Sequence, residues 1–483
     1  MAEKSGAQIN RKVFIQSFII LLILMLAAGV LTRVIPAGSY DRQFTDGRAL
    51  IDPESFRITA RPVYPIWRWF IAPFENLASP DGLTVIVIIL FVLLVGAAFA
   101  VLDGTGILRA VIARVVARFG NQKYLLLAVI ALFFMLLGAF FGIFEEVVPL
   151  VPIMVALAVS LGWDSLVGLG MSVLAVNMGF STAVTNPFTI GVAQKLAGLP
   201  LFSGAGLRIV FFIPIYAVFV WFLISYAKRI ERAPESSNLN EEDQHFRLKG
   251  QVFDLQAELN SVSRLKPALI WFGCFLVLIL AVLVSAPFLP ALSAYSLPLV
   301  GLLFFIGGMG ARFLSGNPAA TVWRSAWQGI TGIAPGIILI LMASSVKFII
   351  EQGGVFDTIL HSASGLLAGT SVYGSALIIY VLALLIEFMI GSGSAKAFLL
   401  MPILLPLGDL AGVTRQTAVT AYCFGDGFSN MIYPTNAVLL ITLGLASVPY
   451  PKWLRWTAKL WLMILPLTLI FLLIAVLIGF GPF

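Results

Sequence analysis

The sequence predicts an all-α polytopic membrane protein with two inverted-topology repeats, and three observations carry that reading. The 483 residues are 60% apolar and only 11% charged, against roughly half and a quarter in soluble domains, so a soluble globular fold is excluded. The apolar residues fall in runs of about 16 to 25, the helical length that crosses about 30 Å of hydrocarbon. They never alternate with polar residues over about ten positions, as barrel strands do. The two halves of the chain also match each other at a nearly constant offset.

Taken in order, Arg11 and Lys12 precede an apolar run over 13–35, too long for a signal h-region and read as an uncleaved first span. A polar stretch, 36–82, carries Asp41, Arg42, Asp46, Arg48 and Arg57. It ends in Tyr64, Trp67 and Trp69, aromatics suited to the lipid–water boundary. Apolar segments follow near 83–102, 123–141, 145–160, 165–196 and 206–228. A charged linker over 229–266 contains Asn240-Glu241-Glu242-Asp243-Gln244. Beyond it lie segments near 267–286, 296–313, 333–350, 373–390, 395–410, 415–446 and 456–481. The expectation is about nine spans, two re-entrant hairpins and two broken helices.

The first repeat is 1–228 and the second 267–483. Pro152-Ile153 recurs as Pro402-Ile403, Gly162 as Gly412 and Thr185-Asn186 as Thr435-Asn436, each 250 residues on; Tyr124 and Tyr373, and Pro200 and Pro449, are 249 apart. Matches in order and without drift argue for an internal duplication. The connection 103–122 carries Arg109, Arg114 and Arg118, whereas its counterpart 351–372 has Glu351 and Asp357 and no Lys or Arg. By the positive-inside rule the first lies in the cytoplasm and the second outside. The repeats are then inverted, with the N-terminus and linker cytoplasmic and the C-terminus outside.

Several functions are excluded. Cys274 and Cys423 both sit in apolar runs, so no disulfide framework is indicated. His245 and His361 are the only histidines, no HExxH or paired CxxC occurs, and no phosphate-binding GxxxxGK[ST] loop signals an ATP-driven pump. No nucleophile constellation points to an enzyme. The formal charge of +7 reads as orientation signal beside the spans, not as nucleic-acid affinity.

Four features point to chemistry at membrane depth. Segments 123–160 and 373–410 read as hairpins whose tips reach mid-membrane: the arms of the first, 123–141 and 145–160, span only about 27 Å and 24 Å, and 373–390 and 395–410 flank the second tip. The first tip carries Glu145 and Glu146; the second carries Ser392, Ser394 and Lys396. Segments 165–196 and 415–446 read as helices broken at Pro187 and Pro434, since proline lacks an N–H and clashes with the preceding turn. Around the breaks, Asn186 and Asn436 are candidate substrate ligands. The freed carbonyls with Ser181, Thr185, Thr189, Ser429, Asn430 and Thr435 suit a small hard cation, and a half-helix N-terminus suits an anionic group. Buried ionisable residues each cost about 2.5–3.5 kcal/mol even on the lenient insertion scale. Glu145, Glu146, Glu387, Asp409 and Asp426 outnumber Lys396, so a cationic substrate group or bound cations would balance the site. Asp409 also reads as a helix-end residue near water. Adjacent carboxylates disfavour double ionisation, which makes one of Glu145 and Glu146 a candidate proton carrier.

The tip Glu145-Glu146, the Asn186-Pro187-Phe188 break, the GSGSAK tip at 391–396 and Gly425-Asp426-Gly427 together resemble the YfcC-type carriers of the ion transporter superfamily. These are grouped with anaerobic four-carbon dicarboxylate carriers and arginine/ornithine exchangers. The resemblance runs from the first span through Pro449-Tyr450 and Trp453. It implies a homodimer in the inner membrane, with a fixed scaffold and a moving domain of hairpins and broken helices. The superfamily's Ser-Asn-Thr signature is only partly kept, as Thr185-Asn186-Pro187 and Pro434-Thr435-Asn436.

The expectation is therefore a secondary active transporter of a small charged metabolite, working by elevator-type alternating access and coupled to a sodium ion, a proton or exchange. Glu145, Glu146 and Asp426 would hold a cationic group, Lys396, Ser392 and Ser394 a carboxylate. That pattern favours an amino acid, basic in preference, over a four-carbon dicarboxylate. A channel is the competing class.

Overall fold

The computed structural model describes residues 11–45, 48–80, 82–103, 105–237, 239, 243, 255–285, 289–365 and 369–481. Among them, ten helical stretches are long and apolar enough to cross a membrane. In hydrocarbon a backbone must satisfy its own polar groups, and helices do so within one segment. The chain is an all-α polytopic membrane protein.

The first half opens with α1 (Arg11–Val34). Four short strands follow, β1 (Gly38–Ser39), β2 (Arg42–Thr45), β3 (Arg48–Ile51) and β4 (Arg57–Ile58), paired antiparallel as β1–β4 and β2–β3. Then come α2 (Trp67–Glu75), α3 (Gly82–Asp103), α4 (Ile107–Phe119), α5 (Lys123–Leu136) and α6 (Val151–Ser160). A long helix built from α7 (Ser165–Leu169), a wide turn over Gly170–Leu174 and α8 (Ala175–Thr182) ends at a break. It resumes over Pro187–Gly191 into α9 (Val192–Leu196), and α10 (Ala205–Arg232) closes the half.

The second half comprises α11 (Leu255–Ser285), α12 (Pro290–Leu314), α13 (Ala319–Ile333), α14 (Pro335–Gln352), α15 (Phe356–Ser364), α16 (Val372–Glu387) and α17 (Gly393–Leu410). The second broken helix is α18 (Arg415–Ser429) and α19 (Ala437–Leu445), followed by α20 (Tyr450–Leu477).

Three differences from the apolar-run reading share one cause. The connections 103–122 and 351–372 contain α4 and α15, and α13 precedes the segment expected near 333–350. In α13, Val322, Ala326, Gly329 and Ile333 are buried while Trp323 and Trp327 face out. One apolar stripe among Arg324 and Gln328 forms a helix without forming an apolar run. The linker is also shorter than 229–266, because α10 reaches Arg232 and α11 starts at Leu255. Residues 238, 240–242 and 244–254 of it lie outside the described residues. Asp243 is anchored: its carboxylate accepts from the Ser165 N–H (2.9 Å) and Oγ (2.5 Å) at the start of α7.

Two packing groups emerge. In one, α3, α12 and α13 meet through glycines: a Cβ on Gly329 would overlap the Gly96 carbonyl, and Gly308 lies against Ala98. In the other, each broken helix packs on the helix that enters its hairpin. Gly179 of α8 sits on the Met135 carbonyl of α5, and Gly425 of α18 on the Tyr380 carbonyl of α16. The two broken helices cross where Gly427 abuts Ser181. Small residues at such crossings let backbones approach closely, the main source of cohesion between helices in lipid. Over them, the loop after α1 clasps α15: the Tyr40 N–H donates to Asp357 (2.9 Å), Arg42 pairs with Asp357 (2.7 Å), and Phe56 stacks on His361 at 3.9 Å.

Gly425→Val would drive its side chain into the Tyr380 backbone. The expected cost is about 1–3 kcal/mol or more, seen as a lower melting temperature of the purified protein in detergent. Gly273→Ala, with open space around it, should leave melting unchanged or raise it slightly.

Candidate functional site

At the first break, Ala183 takes a left-handed conformation (φ 44°) and ends α8. Asn186 then caps the next half-helix, its Oδ1 accepting from the Phe188 N–H (2.9 Å) and Thr189 N–H (3.3 Å). Pro187 follows as the first helical residue, where its missing N–H costs nothing. Thr185 ties the break to the first hairpin, donating from its N–H to the Ala139 carbonyl and from Oγ1 to the Phe140 carbonyl, both at 3.0 Å. The second break repeats this. Thr435 Oγ1 donates to the Phe388 carbonyl (2.8 Å), and Asn436 Oδ1 accepts from the Leu439 N–H (3.2 Å).

The carbonyls expected to be free for a cation are largely engaged. Tyr450 OH donates to Ile432 O (2.6 Å), Trp453 Nε1 to Met431 O (2.8 Å) and Trp461 Nε1 to Phe428 O (3.0 Å). At the first break Arg208 Nε donates to Val184 O (3.2 Å). Ser181 and Ser429 donate back to their own helices, at Asn177 O and Gly425 O. Asn430 accepts from Asn436 Nδ2 at 3.1 Å. Four buried groups near the first break have no hydrogen-bond partner: the Asn177 side-chain amide, Asn186 Nδ2, Thr189 Oγ1 and Arg208 Nη1.

The second hairpin tip holds the densest charge. Lys396 is fully buried and pairs with Asp426 at 2.7 Å and with Glu387. Its ammonium is thus committed to two protein carboxylates rather than standing free for a ligand. Gly393 opens α17 with Ser392 as N-cap, and it fits between Thr189 and Asp426 so closely that a Cβ would lie 2.7 Å from one and 2.8 Å from the other. Tyr422 OH donates to the Gly393 carbonyl. Ser392 is exposed and Ser394 half-buried. An open cavity of about 390 Å³, lined by Gly38, Arg42, Glu351, Asp357 and Leu399 among others, borders α17 one turn beyond Lys396.

The first tip is separate. Glu145 and Glu146 are half-buried, and Glu146 accepts from the Phe144 N–H (3.3 Å) and from Ser296 Oγ of α12 (3.1 Å). Gly142, at φ 68°, lies against the Asn186 and Phe188 side chains, where any Cβ would clash. The structure thus brings Lys396, Asp426 and Thr189 together with Glu387, and places Glu145 and Glu146 against α12. Asp409 pairs with Arg415 at 2.9 Å on the surface, outside the cluster. Arg208 and Asn177 were not singled out in the sequence. A lone arginine inside the apolar run 206–228 is the signal that could have found the first; Asn177 carries no such mark.

The fold is that of a polytopic membrane protein with a charge cluster buried among its helices, and the family it matches is one of carriers rather than enzymes. Residues 14–477 match the DcuC family, described as C4-dicarboxylate anaerobic carrier, and this chain belongs to that family. Among relatives, the Escherichia coli (strain K12) "Putative basic amino acid antiporter YfcC" is 32% identical over 480 residues, spanning 92% of each chain. An uncharacterized protein of Haemophilus influenzae is 27% identical over 372 residues, spanning 76% of this chain and 71% of its own. The crystal structure of the Alcanivorax borkumensis YdaH transporter is similar at 19% identity and a TM-score of 0.42, over 96% of this chain and 99% of that one.

Lys396→Met would strand two carboxylates in the interior. The expected cost is roughly 3–5 kcal/mol, measured as loss of melting temperature. Arg415→Met at the exposed Asp409 pair should cost about 0–1 kcal/mol.

Proposed function

We propose that this carrier is a secondary active transporter of a charged amino acid, basic in preference. The observation that carries the reading is the charge imbalance at the buried cluster: two carboxylates, Glu387 and Asp426, face one ammonium. A cationic substrate group supplies the missing charge. Asp426 receives that group, while Ser392, Ser394 and the N-terminal N–H groups of α17 receive a carboxylate. Asn186 and Asn436 line the breaks, and Glu145 and Glu146 serve the cation or carry a coupling proton. The name of the Escherichia coli relative points the same way.

A four-carbon dicarboxylate is the second reading. The family description favours it, and so does Arg208, which is fully buried and whose Nη1 has no partner.

The matched contacts at the two breaks, with the charge asymmetry of the two connections, support inverted repeats at 1–228 and 267–483 joined by a cytoplasmic linker. Transport by inverted repeats alternates access around a site where they meet. The hairpins and broken helices form the moving domain and α3, α11, α12 and α13 belong to the scaffold, which gives an elevator. The carrier sits in the inner membrane as a homodimer, N-terminus inside and C-terminus outside. Coupling is to exchange, a proton, or a sodium ion held by Ser181, Thr185, Thr189, Ser429, Asn430 and Thr435.

Counterflow in proteoliposomes tests the substrate. Vesicles loaded with L-arginine or L-ornithine should accumulate the labelled amino acid, and Glu146→Gln should slow this about tenfold or more. Succinate counterflow that survives Glu146→Gln would replace the amino-acid reading with the dicarboxylate one; flux without counterflow would mean a channel. A second measurement tests the elevator. A cysteine at Ser394 should react with an impermeant maleimide from either side of the membrane, in proportions that substrate changes. Labelling fixed to one side under all conditions would sink the moving-hairpin proposal.

A further inference from the structure

Glu387 has no part in substrate binding as set out above, yet it is buried and paired. Its place in the chain explains why it is there. Glu387 ends α16 and Lys396 lies in the first turns of α17, so their pair closes within one hairpin. Asp426 belongs to α18, the broken helix, so its pair with Lys396 ties the hairpin to that helix. Neither Asp426 oxygen accepts a well-aligned hydrogen bond. Lys396 is therefore what neutralises Asp426 here. The Arg208 guanidinium is directed at the Val184 and Phe202 carbonyls, and the Cys423 thiol lies nearby.

We propose that Lys396 is the resident occupant of Asp426 in the empty carrier, and that the substrate's ammonium or guanidinium takes its place while Glu387 keeps Lys396 neutralised on the hairpin. The inference rests on the reading that the substrate is cationic. Empty, the cluster is one positive charge short; with the substrate on Asp426 it becomes two neutral pairs. That is the arrangement a low-dielectric interior favours, since a buried charge stripped of its partner is strongly destabilising. The exchange also releases the hairpin. Once Asp426 is taken by the substrate, the ion pair that ties the first turns of α17 to α18 is gone; the hydrogen bond from Tyr422 to Gly393 remains at that contact, and the exposed Asp409–Arg415 pair remains at the other end of α17. Glu387 is thus a positioning residue: it acts on the substrate only through Lys396.

The test measures L-ornithine binding to the purified full-length protein in lipid nanodiscs by calorimetry, with melting temperature as the check on folding. Glu387→Gln leaves Lys396 and the substrate competing for one carboxylate, so the dissociation constant should rise tenfold or more. Glu387→Asp keeps the charge and should stay within about threefold of wild type. The double variant Glu387→Gln/Lys396→Met removes the competitor, and ornithine should bind at least as tightly as in wild type. This reversal between single and double variants is not produced by a merely structural role. Should the single variant fail to fold, the double variant decides: retained binding supports the proposal and lost binding overturns it. Unchanged ornithine binding in Glu387→Gln, with wild type binding normally, overturns the exchange and leaves the transport reading intact. Wild-type protein that binds succinate and no amine overturns both.

Discussion

A helix broken inside a membrane bares backbone groups that lipid cannot satisfy, and the rest of this structure depends on how they are met. Each break uses the same two side chains. An asparagine, Asn186 or Asn436, caps the outgoing half-helix, and a threonine, Thr185 or Thr435, binds a carbonyl near the tip of the neighbouring hairpin. Hairpin and break are thereby locked together in each half. The incoming half-helix is finished differently: aromatic donors from α20 serve the second break, and Arg208 serves the first. The two breaks match in their caps and differ in their supports.

The second tip then becomes a place where charge can be stored. Gly393 fits against Thr189 and Asp426 with no room for a side chain, which seats the start of α17 at the crossing of the two broken helices. Lys396 is carried in with it and needs counter-ions at that depth. One comes from its own hairpin and the other from α18. The cluster therefore holds the contact between a hairpin and a broken helix by the same kind of interaction that a charged substrate would make. Binding and conformational change are linked wherever a ligand can replace an internal partner.

Much of this was legible in the chain. The duplicated Thr-Asn pairs and the prolines marked both breaks, because proline and a capping side chain act locally. The tip residues were legible because small and charged residues stand out in apolar runs. The helix α13 was not, since its apolar stripe is diluted by arginine and glutamine. The pairing of Lys396 was not either. Its partners lie nine residues before it and thirty after it, and nothing local says which of the buried carboxylates will meet it. Glu145 and Glu146 looked equivalent to Asp426 by composition, yet they lie outside its cluster, and Glu146 accepts from Ser296 of α12.

The sequence by itself determined the class of fold, the order of the main apolar segments, and the positions of the breaks. These follow from hydropathy, length and backbone chemistry, each read within a few residues. Only the tertiary structure decided which charges neutralise one another, which carbonyls are already occupied, and that Glu387 belongs with Lys396 and Asp426. Electrostatic pairing in a low-dielectric interior is fixed by distances of a few ångströms between distant segments, and those distances exist only once glycine contacts have set how closely the helices cross.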